Sequence, residues 1–212
     1  MSTSTDTPTA TDAALIGALI AAAGETIAAH RDALSELDRA IGDGDHGHNM
    51  ARGFEAVTAI AGELAALPFG KALAKAGTTL VMKVGGASGP LYGSALMAAG
   101  KVRDDAPASL AEVVELLDAA VDAVKKRGKA DVGAKTMLDV LVPLADALRA
   151  GPADPVATAR DVAAAALEAT GPMTATKGRA AFLGERSVGH LDPGARSTQL
   201  LTEAVCTVMA RS

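Results

Sequence analysis

Aromatic residues are almost missing from this 212-residue chain, which has no tryptophan, one tyrosine and three phenylalanines, together 2% of the sequence. Proteins that bind single-stranded nucleic acid stack the bases on aromatic side chains along a basic groove, whereas the formal net charge here is -5. A nucleic-acid partner is therefore not expected. The apolar share of 49% instead favours a core of closely packed helices built on alanine, leucine and valine.

Cysteine is equally scarce, because Cys206 is the only one in the chain. One cysteine excludes a disulfide framework and a cysteine-rich zinc site, and this usage predicts a cytoplasmic location. The longest apolar run near the N-terminus, residues 13–24, is shorter than the roughly 20 residues that a membrane-spanning helix needs. It also lacks the basic preceding region of a signal peptide, so no membrane partner is expected.

Helical periodicity dominates the chain, and convincing strand-like alternation is not found. The pattern and its caps predict an all-α fold of about eight helices with short loops, which places neighbouring helices antiparallel. We expect a disordered tail over residues 1–12, one domain over residues 13–212 and a kink or break at Pro143. The predicted helices cover residues 13–30, a short stretch through Leu37, and residues 50–67, 71–84, 90–102, 109–127, 134–150, 155–170 and 195–209.

Three carboxylates, those of Asp38, Asp43 and Asp45, share one predicted turn. Two charges about 4 Å apart repel by about 4 kcal/mol at an effective dielectric of about 20, so the cluster needs a positive partner. Oxygen ligands without thiolates suit Mg²⁺ or Ca²⁺, and the spacing is not that of an EF-hand calcium loop. An ordinary helix-to-helix turn, with Asp as a cap and Gly at positive φ, is the alternative. His46 and Asn49 directly after the turn favour the metal interpretation.

A glycine-rich loop over residues 84–90 separates two predicted helices. Its backbone N–H groups lie where a helix begins, which is a favourable place for a phosphate. It lacks the lysine of a Walker A loop, and taken alone it is equally well explained as a plain C-cap and turn.

Basic residues lie close to glycines in residues 176–194. A guanidinium suits a transferring phosphoryl group, so Arg179 and Arg186 are candidates to contact one, although their spacing does not rank them. The alternative is a solvated basic loop. Upstream, Lys135 and Asp139 have the i, i+4 spacing of a surface ion pair.

Two further residue types have simple interpretations. Met137 is expected in the core. His46 and His48 have neither H-x-x-x-H spacing nor a cysteine beside their H-x-H spacing to support zinc, so no zinc is assigned.

Together, these segments resemble the L subunit of dihydroxyacetone kinase, its nucleotide-binding subunit. The matching stretches run in order from residue 37 to residue 195: LDRAIGDGDHGHNM, GGASGPLYGS, GAKTMLDV with the preceding RGK, and ATKGRAAFLGERSVGHLDPGA. The resemblance implies an eight-helix antiparallel up-and-down barrel, with the nucleotide site in the loops at one end. It also implies a phosphotransferase that uses ADP or ATP.

The resemblance further implies the residues of the site. Asp38, Asp43 and Asp45 would hold two Mg²⁺ ions, and Arg179, which would also bind the nucleotide, would contact the transferred phosphoryl group. The remaining residues implied to bind the nucleotide are His46, Gly47, His48, Asn49, Ala87, Ser88, Gly128, Met137, Leu191, Asp192 and Pro193.

The resemblance also implies partners. In the split form of the family, ADP stays bound, is rephosphorylated by a phosphotransferase-system partner, and passes the phosphoryl group to dihydroxyacetone on a separate K subunit. In the fused form, ATP is used directly and both domains share one polypeptide. A 212-residue chain has no room for a K domain, which favours the split form. The oligomeric state, including a homodimer, stays open.

Two alternatives remain. The N-terminal domain of the fatty-acid kinase family, an ATP-exchanging domain, has a similar acidic turn that typically reads P-D-G-D-T-G-T-N-M. Here Ile41 and Gly42 precede Asp43, and His46 replaces the threonine, which favours the dihydroxyacetone kinase type. The other alternative is a non-catalytic regulatory paralogue that binds a transcription factor.

Overall fold

The computed structural model describes residues 10–211 and contains, over that range, only helices as regular structure, which confirms the predicted all-α class. Ten are α-helices and one is a 3₁₀ segment. They are α1 (Ala10–Ala29), α2 (Arg31–Ile41), α3 (His46–Ala59), α4 (Ala61–Ala65), α5 (Phe69–Lys83), α6 (Ser88–Ala99), α7 (Leu110–Gly128), α8 (Leu138–Arg149), α9 (Pro155–Ala169), the 3₁₀ segment Arg179–Ser187 and α10 (Pro193–Met209).

Eight of these helices have 12 or more residues apiece and form the ring of a barrel. Around this ring, α1 packs on α3, α3 on α5, and each helix from α5 onward on the next, until α10 packs back on α1. The short α2 lies against α3 and α10, and α4 lies against α1 and α5. The α-helices outnumber the expected eight because the short predicted stretch through Leu37 forms a helix of its own, α2, and the predicted helix 50–67 divides at Ile60.

Side-chain caps set several helix starts. The Ser109 side chain accepts a hydrogen bond from the Glu112 N–H at 3.3 Å and starts α7. Asp154 caps α9 in the same way, accepting from the Ala157 N–H at 2.9 Å. Each oxygen satisfies one N–H that has no partner inside its helix.

Several helix boundaries differ from prediction. Helix α1 begins at Ala10, whereas residues 1–9 of the predicted tail lie outside the described residues. Helix α7 ends at Gly128 instead of residue 127, and the residue after it, Lys129, adopts the left-handed conformation, at φ 48°. Helix α8 begins at Leu138 instead of residue 134, and it continues through Pro143 without the predicted break.

The core fills the inside of the ring and depends on close approach between helices. Its largest cluster includes Leu34, Met50, Leu80, Val124 and Leu138, which are all 1% exposed or less. Glycine brings α5 and α6 together, because a Cβ on Gly77 would lie 2.6 Å from the Gly93 carbonyl oxygen and the reverse contact would be equally short. An alanine- and glycine-rich composition thus supports tight helix packing without aromatic side chains.

Helix α1 has 20 residues and is long and apolar enough, by length and composition alone, to cross a membrane. The sequence argument that the N-terminal apolar run is too short therefore does not hold for the complete helix. Core helices of soluble proteins pass the same test, and α1 packs within the ring between α3 and α10. The expected lack of a membrane partner stays a prediction.

Candidate functional site

One end of the barrel holds a cavity that is lined by the first residues of four helices. Residues at the starts of α3, α6, α8 and α10 contribute, namely His46, Ser88, Met137 and Pro193. Gly85 and Gly86, which follow the end of α5, also line it, as expected for antiparallel neighbours. Loops that are far apart in the sequence therefore meet at this end.

The convergence of helix starts gives the cavity an electrostatic character that favours anions. The first turn of a helix presents N–H groups without an intrahelical partner and carries a partial positive charge. Side chains already accept from some of these groups, such as the His46 and Ala195 N–H, so a phosphate would be attracted mainly by the partial positive charge of the four helix starts. The sequence had indicated this property only for the loop before α6.

The three aspartates of the predicted acidic turn lie together at this cavity. One carboxylate oxygen each from Asp38, Asp43 and Asp45 lies within 4.8 Å of the others. Asp38 is buried near the C-terminus of α2, whereas Asp43 and Asp45 belong to the exposed turn before α3. Gly44, at φ 78°, provides the positive φ that lets this turn fold back on itself.

The chemistry of this oxygen cluster fits a hard divalent cation. Burial raises the pKa of Asp38, and the charges of Asp43 and Asp45 add to the rise, although a hydrogen bond from the His46 N–H at 3.1 Å opposes it. A cation beside the carboxylates would instead lower the pKa of Asp38. Carboxylate oxygens are ligands that Mg²⁺ prefers, with its other positions left for water and phosphate.

Basic side chains face the acidic turn from the other side of the cavity. Arg179, the first residue of the 3₁₀ segment, forms an ion pair with Asp43. Lys177 and Gly178 precede it and also line the cavity. The arrangement places one guanidinium directly at the aspartate cluster, which distinguishes Arg179 from the exposed Arg186, a residue that does not line the cavity.

A buried polar network forms the floor of the cavity and centres on His46. The His46 Nδ1 lies 3.0 Å from the Ser88 hydroxyl of α6, and its Nε2 lies 2.9 Å from the Ser197 hydroxyl of α10. Burial lowers the pKa of His46 to about 4, so the ring is neutral at pH 7, with one nitrogen donating and the other accepting. His46 therefore joins three helices of the ring.

The single tyrosine extends this network. The Tyr92 hydroxyl lies 2.8 Å from the Ser197 hydroxyl and 2.9 Å from that of Thr198, and it donates towards the Gly194 carbonyl at 3.3 Å. Burial raises the pKa of Tyr92 to about 12, so the phenol keeps its proton. A satisfied network of this kind fixes helix starts rigidly relative to one another.

Two buried aspartates hold loops at the same end. Asp139 accepts hydrogen bonds from the Gly133 and Thr136 N–H groups, both at 2.6 Å, and closes the loop before α8. Asp192 caps α10 by accepting from the Ala195 N–H at 2.7 Å. Burial, with a smaller contribution from Asp139, raises the pKa of Asp192 to about 7.

The structure brings most of the predicted site residues to the cavity but not all. Those that line it are Asp38, Asp43, Asp45, His46, Ala87, Ser88, Met137, Arg179, Asp192 and Pro193. Those that do not are Gly47, His48, Asn49, Gly128 and Leu191. Nucleotide binding by either group stays a prediction.

The residues outside the lining have identifiable structural contacts. A Cβ on Gly47 would overlap the Arg31 carbonyl oxygen, so this glycine permits the contact between α2 and α3. The His48 Nδ1 lies 2.8 Å from the Ser35 hydroxyl on α2. The Asn49 side-chain oxygen accepts from Arg52 at 2.7 Å beneath Gly85.

The other two residues outside the lining, Gly128 and Leu191, lie beside apolar side chains. Gly128 ends α7 next to Leu91, which itself lines the cavity, and Leu191 packs beside buried residues of α8, α9 and α10.

The sequence did not indicate that Lys135 and Tyr92 line the cavity. Lys135 and Asp139 are 1% and 3% exposed, so the predicted surface pair is wrong. The pair had assumed a helix from residue 134, whereas residues 134–137 form turns before α8. Nothing in the sequence indicated a role for Tyr92, because a single tyrosine on an apolar helix ordinarily packs in the core.

Comparison with known proteins agrees with this geometry. The DAK2 domain model matches residues 40–207. The chain belongs to the DAK2-domain family. It is 44% identical over 86% of its length to "PEP-dependent dihydroxyacetone kinase 1, ADP-binding subunit DhaL" of Listeria innocua, covering 89% of that protein. It is 42% identical over 88% of its length to the corresponding PTS-dependent subunit of Lactococcus lactis, covering 92% of it. The predicted resemblance and the expected kinase family are thereby confirmed.

The solved structure of a dihydroxyacetone kinase shows the same fold. The dihydroxyacetone kinase from C. freundii, crystallised with AMP-PNP and Mg²⁺, matches 92% of this chain at 28% identity and a TM-score of 0.74. This chain spans 34% of that longer polypeptide. The nucleotide and Mg²⁺ in that relative are the ligand types to which the cavity's helix starts and carboxylates are suited.

Proposed function

We propose that this protein is the nucleotide-binding subunit of a dihydroxyacetone kinase. It would hold ADP or ATP with two Mg²⁺ ions and pass a phosphoryl group to dihydroxyacetone bound on a separate K subunit. The observation that carries the proposal is the convergence of three close carboxylates, four helix starts and Arg179 on one cavity. The relatives named as ADP-binding subunits of such kinases support it.

Different residues would bind the Mg²⁺ ions and the phosphate groups. Asp38, Asp43 and Asp45 would hold the Mg²⁺ ions, which when bound neutralise and align the phosphate oxygens. The helix start at Ser88 would contribute N–H groups to the same phosphates, and the start of α10, whose Ala195 N–H already donates to Asp192, would contribute its partial positive charge. Such a site needs no side-chain nucleophile, because phosphoryl transfer asks the protein mainly for positioning and charge stabilisation.

Arg179 is the residue that we assign to the transferred phosphoryl group. Its pairing with Asp43 shows that the guanidinium reaches the aspartate cluster. A planar cation there can follow the phosphoryl oxygens as charge develops on them. Arg179 would therefore act in catalysis as well as in nucleotide binding.

The phosphoryl donor is proposed to be a phosphotransferase-system partner that rephosphorylates bound ADP. The supporting observation is the naming of relatives: the chain is 44% and 42% identical to subunits whose names include "PEP-dependent" and "PTS-dependent", and it covers about nine tenths of each. It matches only a third of the longer C. freundii kinase chain.

Reconstitution tests both parts of this proposal. The purified chain is mixed with a K subunit and dihydroxyacetone, and then with either ATP or the phosphorylated phosphotransferase-system partner. We expect dihydroxyacetone phosphate with the phosphorylated partner and only catalytic amounts of ADP. Product that requires stoichiometric ATP would replace the proposed donor by ATP exchange. No product with either donor would contradict the kinase role and favour a regulatory paralogue.

A further inference from the structure

A buried lysine beneath the cavity has no role in the function proposed so far. Lys135 is 1% exposed, lines the cavity and lies in the turn before α8. It adopts φ 61°, and Lys129 is the only other non-glycine residue with a positive φ among residues 10–211. A lysine held in this conformation and out of water needs a compensating set of contacts.

Those contacts use the whole ammonium group. The Lys135 Nζ donates hydrogen bonds to the carbonyl oxygens of Gly171 at 3.2 Å, Met173 at 3.0 Å and Ser187 at 2.7 Å. An ammonium group has three N–H donors, and here each has an acceptor. Lys135 therefore has no donor left for a bound phosphate, although the residue lines the cavity.

The three carbonyls come from both ends of one loop, residues 171–189, which connects α9 to α10. Further bonds close the loop around them: the Ala175 N–H donates to the Ser187 hydroxyl at 2.9 Å, and the Gly189 N–H to the Gly171 carbonyl at 2.9 Å. The Thr176 N–H donates to the Ala134 carbonyl at 3.2 Å, directly before Lys135. The loop is thus folded around the ammonium group.

This same loop carries the basic side chains of the site. Lys177 and Arg179 lie between the residues whose carbonyls Lys135 holds, and Arg179 pairs with Asp43. The position of the guanidinium over the aspartates therefore depends on how the loop is fixed beneath it. Burial lowers the pKa of Lys135, while the charge of Asp192 opposes that shift.

We propose that Lys135 is a positioning residue whose ammonium group serves as the fixed centre of the 171–189 loop and thereby holds Arg179 at the aspartate cluster. The part that concerns Arg179 in catalysis rests on the proposed function. The part that concerns the loop does not.

A matched pair of glycine substitutions tests the loop part. Both Lys135 and Lys129 have a positive φ, which glycine adopts without strain, but Lys129 is exposed at the end of α7. Lys135→Gly removes the ammonium group, whereas Lys129→Gly removes only an exposed lysine. The readout is hydrogen exchange by mass spectrometry on the full chain. We expect amides of residues 171–189 to exchange about tenfold faster in Lys135→Gly, and Lys129→Gly to match the wild type.

Unchanged exchange in that loop, or a uniform increase along the whole chain, would overturn the proposal. If Lys135→Gly does not fold, Lys135→Met, which keeps the apolar stem, is measured in the same way. Failure of both variants to fold while Lys129→Gly folds would show that Lys135 stabilises the whole barrel instead of this loop, and would also overturn it.

A double-mutant cycle tests the link to Arg179. In the reconstituted reaction, we expect Lys135→Gly to slow phosphoryl transfer by about tenfold when Arg179 is present. In the Arg179→Ala background the same change should cost less than about twofold, because the group it positions is gone. A full loss in both backgrounds would contradict the positioning role. If the wild type transfers no phosphoryl group, the proposed function fails, while the exchange experiment still decides the loop part.

Discussion

The floor of the cavity, formed by the network around His46, and its rim, formed by Asp43 and Arg179, contain different kinds of polar group. On the floor, His46, Tyr92 and Ser197 are buried and neutral, and they hydrogen-bond to one another. On the rim, Asp43 and Arg179 are charged and largely open to solvent. The difference indicates that the floor is complete within the protein, whereas the rim is arranged for charged ligands.

The energetics of the two regions follow from this difference. Each hydrogen bond on the floor contributes about 1 kcal/mol net, but a buried partner left unpaired costs about 1–3 kcal/mol. On the rim, the close carboxylates repel one another, which costs stability until a cation neutralises them. Substitutions on the floor should therefore reduce stability, and those on the rim should reduce ligand binding or transfer.

The largest expected effect is on nucleotide binding by the rim. Asp43→Ala should abolish ADP retention in Mg²⁺ and weaken ADP binding by at least about 100-fold, since even indirect partners of a metal cost 10–100-fold. The measurement is the ADP released on denaturation of the purified variant, with Asp161→Asn, an exposed change on α9, as the control. Full ADP stoichiometry in Asp43→Ala would contradict the metal role.

Next in size is the effect of Arg179→Ala on phosphoryl transfer. We expect transfer to fall by about 100-fold while most ADP binding remains, because the guanidinium stabilises charge that develops during transfer. Single-turnover transfer to K-subunit-bound dihydroxyacetone measures it. Arg186→Ala, at an exposed position of the same 3₁₀ segment, should leave the rate unchanged. Equal losses of transfer rate in both variants would contradict a specific role of Arg179 and would indicate an effect of the positive charge of the segment.

A stability measurement separates the floor from the rim. His46→Leu should lower the free energy of unfolding by about 1–3 kcal/mol, because the Ser88 and Ser197 hydroxyls lose their partner. Urea denaturation in the presence of a chelator and without nucleotide measures it. His190→Leu, at an exposed position, should stay within about 0.5 kcal/mol of the wild type. If Asp43→Ala lowers the free energy of unfolding as much as His46→Leu does, the proposed distinction between floor and rim is wrong.

The last expected effect is on the pH dependence of the free energy of unfolding and comes from Asp192. Its pKa is raised from 3.8 to about 7 in the folded protein, so its stabilising contribution is complete below pH 3.8 and is lost as the pH rises through 7. Asp192→Asn keeps a capping oxygen but does not titrate. We expect the variant to gain stability relative to the wild type, by at most about 1.4 kcal/mol per pH unit, as the pH rises from about 4 to 7.

Urea denaturation across that pH range provides the measurement. The matched control is Asp154→Asn, which changes the exposed cap of α9 and should show no such slope. If the difference in free energy of unfolding between Asp192→Asn and the wild type does not change with pH, then folding does not raise the pKa of Asp192, and the prediction is wrong.

The rim was largely predictable from the sequence, whereas the floor was not. Asp38, Asp43 and Asp45 lie within one turn, so local spacing was enough to bring their carboxylates together. His46 instead meets Ser88 and Ser197 across 42 and 151 residues of sequence. Such contacts depend on how the ring of helices closes, which local periodicity does not specify.

The same limit explains the misinterpretation of Lys135. Its i, i+4 spacing to Asp139 had meaning only on a helix, and α8 begins three residues after it. Helix type and order were predictable because caps and apolar spacing are local signals. The positive φ at Lys135 and its carbonyl partners on the 171–189 loop arise from tertiary structure and left no sequence signal.

The central claim is that the acidic turn binds divalent cations that bridge the protein to a nucleotide diphosphate. Crystals grown with ADP and Mn²⁺ in place of Mg²⁺ test it most directly, because anomalous scattering locates the metal. The account predicts anomalous peaks in contact with Asp38, Asp43 and Asp45 and with the phosphate oxygens of ADP. Peaks elsewhere, or ADP bound at this end of the barrel without metal at the three aspartates, would contradict it.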